Sequence, residues 1–179
     1  MSVPPKPVQS EFPVIDTDPH FNRVVRYARP SDWTMAGATA AAGPAIAYMW
    51  EKYSPSNASR HSLASTMRLT GAIGLTAGFL RLYVQSSMRF WGWSENQREQ
   101  DMDMREMVNK VKRGEPLYGK SILTEYMQGV SARNSRYSQV FLHVVPWFNI
   151  VNHNEHGVDT AKYYKQAEAE LAAEGKTLN

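Results

Sequence analysis

Trp33-Thr-Met-Ala-Gly-Ala-Thr-Ala-Ala-Ala-Gly-Pro-Ala-Ile-Ala-Tyr-Met-Trp50 holds eighteen residues without a charge, bracketed by Asp32 and Glu51. As a helix this stretch runs about 26 Å at about 1.5 Å per residue, close to the roughly 30 Å of a bilayer's hydrocarbon core. Ser31 or Asp32 is placed to cap its start. Trp33 stands at one end and Tyr48, Trp50 and Tyr53 at the other, where interfacial aromatic belts sit. The middle is alanine and glycine with no leucine, so insertion alone is marginal and the helix needs a protein neighbour. Gly37, Ala41 and Gly43 allow close backbone approach, and Pro44 is tolerable in such a setting. The competing reading is a buried alanine-rich helix of a soluble bundle.

A second stretch, 69–88, carries Gly71, Gly74 and Gly78, the last two forming a small-xxx-small pair. In a soluble helix each glycine costs about 1 kcal/mol relative to alanine, whereas between membrane helices glycines are contact points. Arg81 within it must snorkel, meet an acid or face protein. Arg68 and Arg89 bracket the stretch, and Phe90, Trp91 and Trp93 follow it. The expected fold is mainly α: a transmembrane helical hairpin over 33–93, with spans at 33–50 and 69–88 and a polar loop at 51–68. Arg23, Arg26, Arg29, Arg89, Arg98 and Arg105 flank the terminal side against Lys52, Arg60 and Arg68 on the loop side, so the positive-inside bias places both termini on the cytoplasm-like side.

Outward from the hairpin, residues 1–32 form an extended leader. Pro4, Pro5, Pro7 and Pro13 prevent a helix over its first thirteen residues. Glu11, Asp16 and Asp18 do not suit a cleaved transit peptide, which is acid-poor, so targeting information is expected to be internal. Residues 94–179 form a polar, mostly helical tail. Ser94 and Gln97 match a capping box, Met104, Met107, Val108 and Val111 share a helical face, and Gly114 and Pro116 end that helix. A second helix includes 121–130, Val140 to Val151 is apolar around Pro146 and Trp147, and Asp159 caps a last helix. The tail's apolar content suggests no independent core, so it is expected to lie along a partner.

The whole chain has 179 residues, no cysteine and a formal charge of +3, with a mean hydropathy of −0.48. Without cysteine there are no disulfides, iron–sulfur ligands or thiolate zinc sites. Residues 1–93 carry nine Lys/Arg against five Asp/Glu and residues 94–179 eleven against twelve, so the basic excess surrounds the apolar stretches. That placement fits topology rather than nucleic acid, and no nucleic-acid partner is expected.

Candidate chemistry is sparse. His153 and His156 are spaced to share a metal, with Asp159 as a third ligand. Against this, His156-Gly157 reads as a turn, two histidines are an incomplete site and Asp159 suits a cap. No G-x-S-x-G frame supports a hydrolase triad, and Gly71-x-x-Gly74-x-x-x-Gly78 lacks the endings of phosphate loops. Arg23, Arg26 and Arg29, with Arg81 and Arg89, are candidates for acidic lipid headgroups, cardiolipin included, or for an acidic partner.

The leader Pro13-Val-Ile-Asp-Thr-Asp-Pro-His-Phe-Asn-Arg-Val-Val-Arg-Tyr-Ala-Arg-Pro-Ser-Asp-Trp33 resembles the N-terminal signature of the fungal 21-kDa accessory subunit family of mitochondrial NADH:ubiquinone oxidoreductase, respiratory complex I. Pro146-Trp-Phe-Asn-Ile-Val-Asn-His-Asn-Glu-His-Gly-Val-Asp-Thr-Ala-Lys-Tyr-Tyr164 resembles the C-terminal signature of the same family. The resemblance implies a non-catalytic structural subunit, integral to the inner mitochondrial membrane, with both termini in the matrix. Its partners are other complex I subunits, and it binds no cofactor: FMN, iron–sulfur clusters and ubiquinone belong to the complex as a whole. The alternatives are a membrane-anchored assembly factor and a soluble helical metal-dependent enzyme built on 152–159.

Overall fold

The computed structural model describes residues 9–57, 59–138 and 148–175. Six helices occur among them: α1 (Phe21–Tyr27), α2 (Pro30–Tyr53), α3 (Arg60–Phe90), α4 (Gln97–Lys112), α5 (Glu125–Ser138) and α6 (Ala161–Ala173). Two compact units result, one of residues 25–86 and the other of the chain up to 24 together with the chain from 87 onward.

In the 25–86 unit, α2 begins with Pro30 at its first helical position, where the missing N–H costs nothing. The Asp32 carboxylate reaches back to accept the Arg29 N–H at 2.7 Å. The connection after α2 is shorter than the eighteen-residue loop expected. The polar residues 60–68 continue helically, and the Thr66 and Thr70 hydroxyls donate to the Ser62 and Thr66 carbonyls. The turn is fastened by Glu51, which accepts the Ser56 N–H and hydroxyl at 3.1 and 2.8 Å. Asn57 takes the left-handed conformation there, φ 54°.

α2 and α3 pack through their small residues. A methyl added at Gly74 would overlap the Ala40 carbonyl oxygen, one at Gly78 would overlap that of Ala36, and one at Gly43 would lie 3.0 Å from the Thr70 oxygen. Backbone therefore lies against backbone along this seam. Ala28, Ala36 and Leu82 form a small buried cluster in the same unit, while Trp50 and Tyr53 are 72% and 81% exposed.

The expected transmembrane hairpin is not what forms: among the described residues no helix is long and apolar enough to cross a membrane. Length is sufficient, at 24 residues for α2 and 31 for α3. Apolarity is not. α2 dilutes its alanines with glycine, threonine, proline and tyrosine, and α3 contains Arg60, Arg68, Arg81 and Arg89. The assignment as an integral inner-membrane protein with both termini in the matrix rested on those spans and is corrected with them.

The other unit has a core of its own, contrary to the expectation of a coreless tail. Met107, Val108 and Val111 of α4 bury against Leu117 and against Tyr163 and Ala167 of α6, with Met104 and Tyr118 packed alongside. The Met/Val stripe thus faces the neighbouring helix α6. At the start of α4 the Ser94 cap does not form, and Glu95 accepts the Gln97 N–H instead at 2.8 Å. Buried Asn96 is used differently: its amide donates to the Pro13 and Arg89 carbonyls at 2.8 and 2.7 Å. From residue 9 to 20 the leader is non-helical with several bends, and α1 and the start of α2 then replace the last part of the extended leader expected over 1–32. Its backbone is pinned by the Phe12 N–H on Gly92 (3.0 Å) and the Ile15 N–H on Phe90 (2.9 Å). Gly92, at φ +71°, cannot carry a side chain there because Phe12 lies against it. The apolar run Val140–Val151 falls mostly outside the described residues; its end, from Phe148, stacks edge-on against Phe21 at 5.8 Å.

Candidate functional site

The most concentrated chemistry lies in this second unit, where leader acids meet the tail. Asp16 is fully buried and Asp18 is 3% exposed. Their partners come from 135 and 140 residues away: the His153 Nε2 lies 2.7 Å from Asp18, and the His156 Nδ1 lies 2.7 Å from Asp16. The Asp18 N–H also donates to the Asp16 carboxylate at 2.9 Å, closing an Asx-type turn. Asn149 donates to the Asp18 carbonyl at 3.0 Å, and its own carbonyl accepts the Phe21 N–H. The His156 carbonyl accepts both the hydroxyl and the N–H of Thr17.

Arg23 closes the cluster from α1. Its guanidinium donates to Asp16 at 3.0 Å and to Asp103 of α4 at 2.6 Å, and Glu106 lies 3.9 Å away. The group rests over the Phe90 ring, 5.5 Å from its centroid. Asp103 also accepts the Tyr163 hydroxyl at 2.6 Å. The arginine fork lets one cation hold two carboxylates from different segments, which a lysine cannot reproduce.

The acids respond in opposite senses. Burial raises the Asp16 carboxyl, but the charge and hydrogen bond of His156, then Arg23 and the Asp18 N–H, outweigh it and hold it below the usual range. For Asp103 burial wins over Arg23 and Tyr163, and its carboxyl titrates above the usual range. Burial first, then the negative charge of Asp103, pushes the Tyr163 phenol far up. Burial does the same to Tyr118, whose hydroxyl has no hydrogen-bond partner among the described residues.

This geometry answers the metal question at 152–159. The His153 Nδ1 accepts the Glu155 N–H at 3.2 Å, which leaves Nε2 to donate to Asp18. The His156 Nε2 is engaged by the His153 carbonyl at 2.8 Å, so every ring nitrogen of the pair is in use. The rings stack on each other at 4.6 Å, and Tyr118 covers His156 at 3.6 Å. Asp159 is not the N-cap of α6, a position that Thr160 holds; its carboxylate accepts the Ala161 N–H at 2.9 Å from one residue earlier. Among the described residues no group of three or more His, Asp or Glu is arranged to hold a metal.

A cavity of about 320 Å³ opens beside the cluster, lined by His20, Arg23, Lys110, Tyr118 and His156 among others. Three of its basic groups are already committed: Lys110 to Glu106 at 3.0 Å and to the Leu117 carbonyl, Arg23 and His156 to carboxylates.

The other expected site residues are scattered. Gly43, Gly74 and Gly78 lie on the α2–α3 seam, Gly71 meets only Pro44, at 3.9 Å, and Gly37 has open space around it. Ala41 is exposed. Of the arginines, Arg23 and Arg89 are buried, Arg29 is half-buried, and Arg26 and Arg81 lie at the surface. Asp16, Asp18, Asp103, Asn149, Tyr118 and Tyr163 were not singled out by the sequence as site residues. The available signal was the position of the acid pair and the histidine pair, one in each of the two signature-like stretches.

Comparison with known proteins gives the same two stretches their context. Residues 9–95 match the family model described as NADH-ubiquinone oxidoreductase complex I, 21 kDa subunit, and residues 104–179 match the model of the C-terminal part of that subunit. The NADH-ubiquinone oxidoreductase 20.9 kDa subunit of Neurospora crassa is 56% identical over 169 residues, which cover 94% of this chain and 89% of that protein. With the two models covering residues 9–95 and 104–179 and this identity over most of the chain, the chain belongs to the family of the 21 kDa subunit of complex I, NADH-ubiquinone oxidoreductase.

Proposed function

We propose that this chain is a structural, non-catalytic accessory subunit of mitochondrial complex I, contributing to assembly or stability of the complex while electron transfer proceeds on other subunits. The observation that carries the reading is the 56% identity to the Neurospora subunit over 94% of the chain. The chemistry of the clasp supports it, because its histidines, acids and Arg23 are spent on one another in the interior. Flavin, iron–sulfur clusters and quinone are then the business of partner subunits. The α2–α3 glycines Gly43, Gly74 and Gly78 serve packing within the chain, and any contact with an acidic partner surface or with acidic lipid such as cardiolipin falls to the surface arginines Arg26 and Arg81.

The test is stoichiometry and turnover. Blue-native separation of the mature complex followed by mass spectrometry is expected to find this chain at one fixed ratio to the other subunits. Replacing His153 and His156 by alanine is expected to leave NADH:ubiquinone turnover per assembled complex unchanged. Absence from the mature complex would make the chain an assembly factor, and lost turnover at full assembly would give the histidines a catalytic part.

A further inference from the structure

The two family models divide the chain near residue 100, but the compact units do not follow that division. Residues 9–24 and 87–95 of the first matched region belong with the whole described part of the second. The reason is the way the leader is held. Between residues 9 and 24, Ile15, Pro19 and Val24 are buried and Phe12, Val14 and Phe21 partly so, but Asp16, Asp18 and Arg23 are buried and charged. Apolar contact supplies only part of this docking, because a buried carboxylate is tolerated only when hydrogen-bonded or paired. Those partners lie mostly on a hook at 149–156, near the far end of the chain.

We infer that residues 12–24 form a strap that opens and closes as one element with the 149–156 hook, so that the leader is seated only on a completed C-terminal half, while the α4–α6 core, which the strap meets through Arg23 and Asp103, stays closed when both open. The strap is a conformational device of this chain rather than a property of either matched region, and it holds whatever role the subunit plays in the complex. The bonds fall into two classes that make the claim separable. The Thr17 and Phe21 amides donate to the hook, to His156 and Asn149. The Phe12 and Ile15 amides donate elsewhere, to Gly92 and Phe90. If the strap behaves piecemeal, weakening the hook frees only the first class. If it behaves as one element, both classes are freed together.

Native-state hydrogen exchange on the full-length chain reads this directly. In the wild type at low denaturant, the Phe12, Ile15, Thr17 and Phe21 amides are expected to share one opening with the Val151 and Glu155 amides, at lower denaturant than Met107, Val108 and Val111 of α4. His153→Leu removes the bond to Asp18 and is expected to speed exchange of the Phe12, Ile15, Thr17, Phe21 and Val151 amides by a common factor, roughly ten- to a hundredfold for a hydrogen bond to a charged group; the Glu155 amide, whose own acceptor is the His153 Nδ1, is read in the wild type only. Asp18→Leu, on the strap side, is expected to act on the hook amides by the same reciprocal route. Retained protection of Phe12 and Ile15 in His153→Leu would overturn the inference, and so would equal loss in α4, which would make the unit a single cooperative body. The wild-type arm decides between these even if a variant does not fold.

Discussion

The α2–α3 seam and the leader–tail clasp hold their segments together by opposite means. The seam is almost bare backbone: at Gly74 and Gly78 no room remains for a methyl group, and the contact consists of dispersion and close carbonyl approach. The clasp centres on side chains, with Arg23, two histidines and three aspartates bonded to one another away from water and backbone bonds of Thr17 and Phe21 beside them. The seam fails when something is added and the clasp fails when something is removed. Buried ion pairs contribute little net stability compared with apolar replacements of equal shape, yet stripping one partner is severe because the other is left buried and charged. The clasp is therefore better at specifying which segments meet than at stabilising them.

The largest effect should come from removing the shared cation. Arg23→Met strands Asp16 and Asp103 together and is expected to cost about 3–5 kcal/mol, read as a fall in thermal midpoint of the full-length chain. Arg23→Lys restores charge without the fork and should recover only part of the loss. On the seam, Gly74→Leu with Gly78→Leu is expected to separate α2 from α3 and lower incorporation into the complex, with a stability loss at or beyond the roughly 1–3 kcal/mol of ordinary overpacking. Gly37→Ala sharpens the contrast, since nothing lies within 4 Å of the added methyl. There the ordinary helix propensity should act alone and stabilise by up to about 1 kcal/mol. Normal assembly of the double leucine variant would remove the seam from the account.

Acid should distinguish the two regions next. The folded clasp holds Asp16 below the ordinary carboxylate range, so the unfolded chain binds that proton more readily. The resulting stability is full above about pH 4, the unfolded value, and is lost as pH falls through the folded one. Asp103 runs the other way. Its raised value means the fold prefers the protonated acid, so that contribution is present below the unfolded value and declines as pH rises through the folded one. Asp16→Asn should flatten the acid limb of the stability profile and Asp103→Asn the limb above it, each read by urea denaturation across pH. The smallest effect is expected at half-buried Lys112, whose partners Glu170 and Glu174, at 2.9 and 3.4 Å, carry exposed carboxylates; Lys112→Ala should leave the denaturation midpoint unchanged within error.

The two regions also differ in how readable they were. The seam's glycines stood out by their spacing, because a small-residue stripe on a helix has one physical use, close approach. What the spacing could not say is which backbone would approach, and Ala36 and Ala40 of the preceding helix are the answer. The membrane reading of the same stretch failed because absence of charge over Trp33–Trp50 is a weaker property than apolarity. The Met107–Val111 face was likewise visible, but its partner Tyr163 was not, since that residue looked like any other aromatic of a polar helix. The clasp was nearly invisible. Asp16 and Asp18 look like ordinary leader acids, and His153 and His156 suggest a metal, because local spacing reveals geometry along the chain and hides partners 135 or more residues away.

On the proposed function, the buried bonds of this chain are structural, in a complex whose catalysis lies on other subunits. The most direct measurement is NADH:ubiquinone turnover, normalised to assembled complex, in a strain carrying Arg23→Met, alongside the amount of complex assembled. A fall in assembled complex with unchanged turnover per complex is the predicted result. Full assembly with a selective loss of turnover would contradict it.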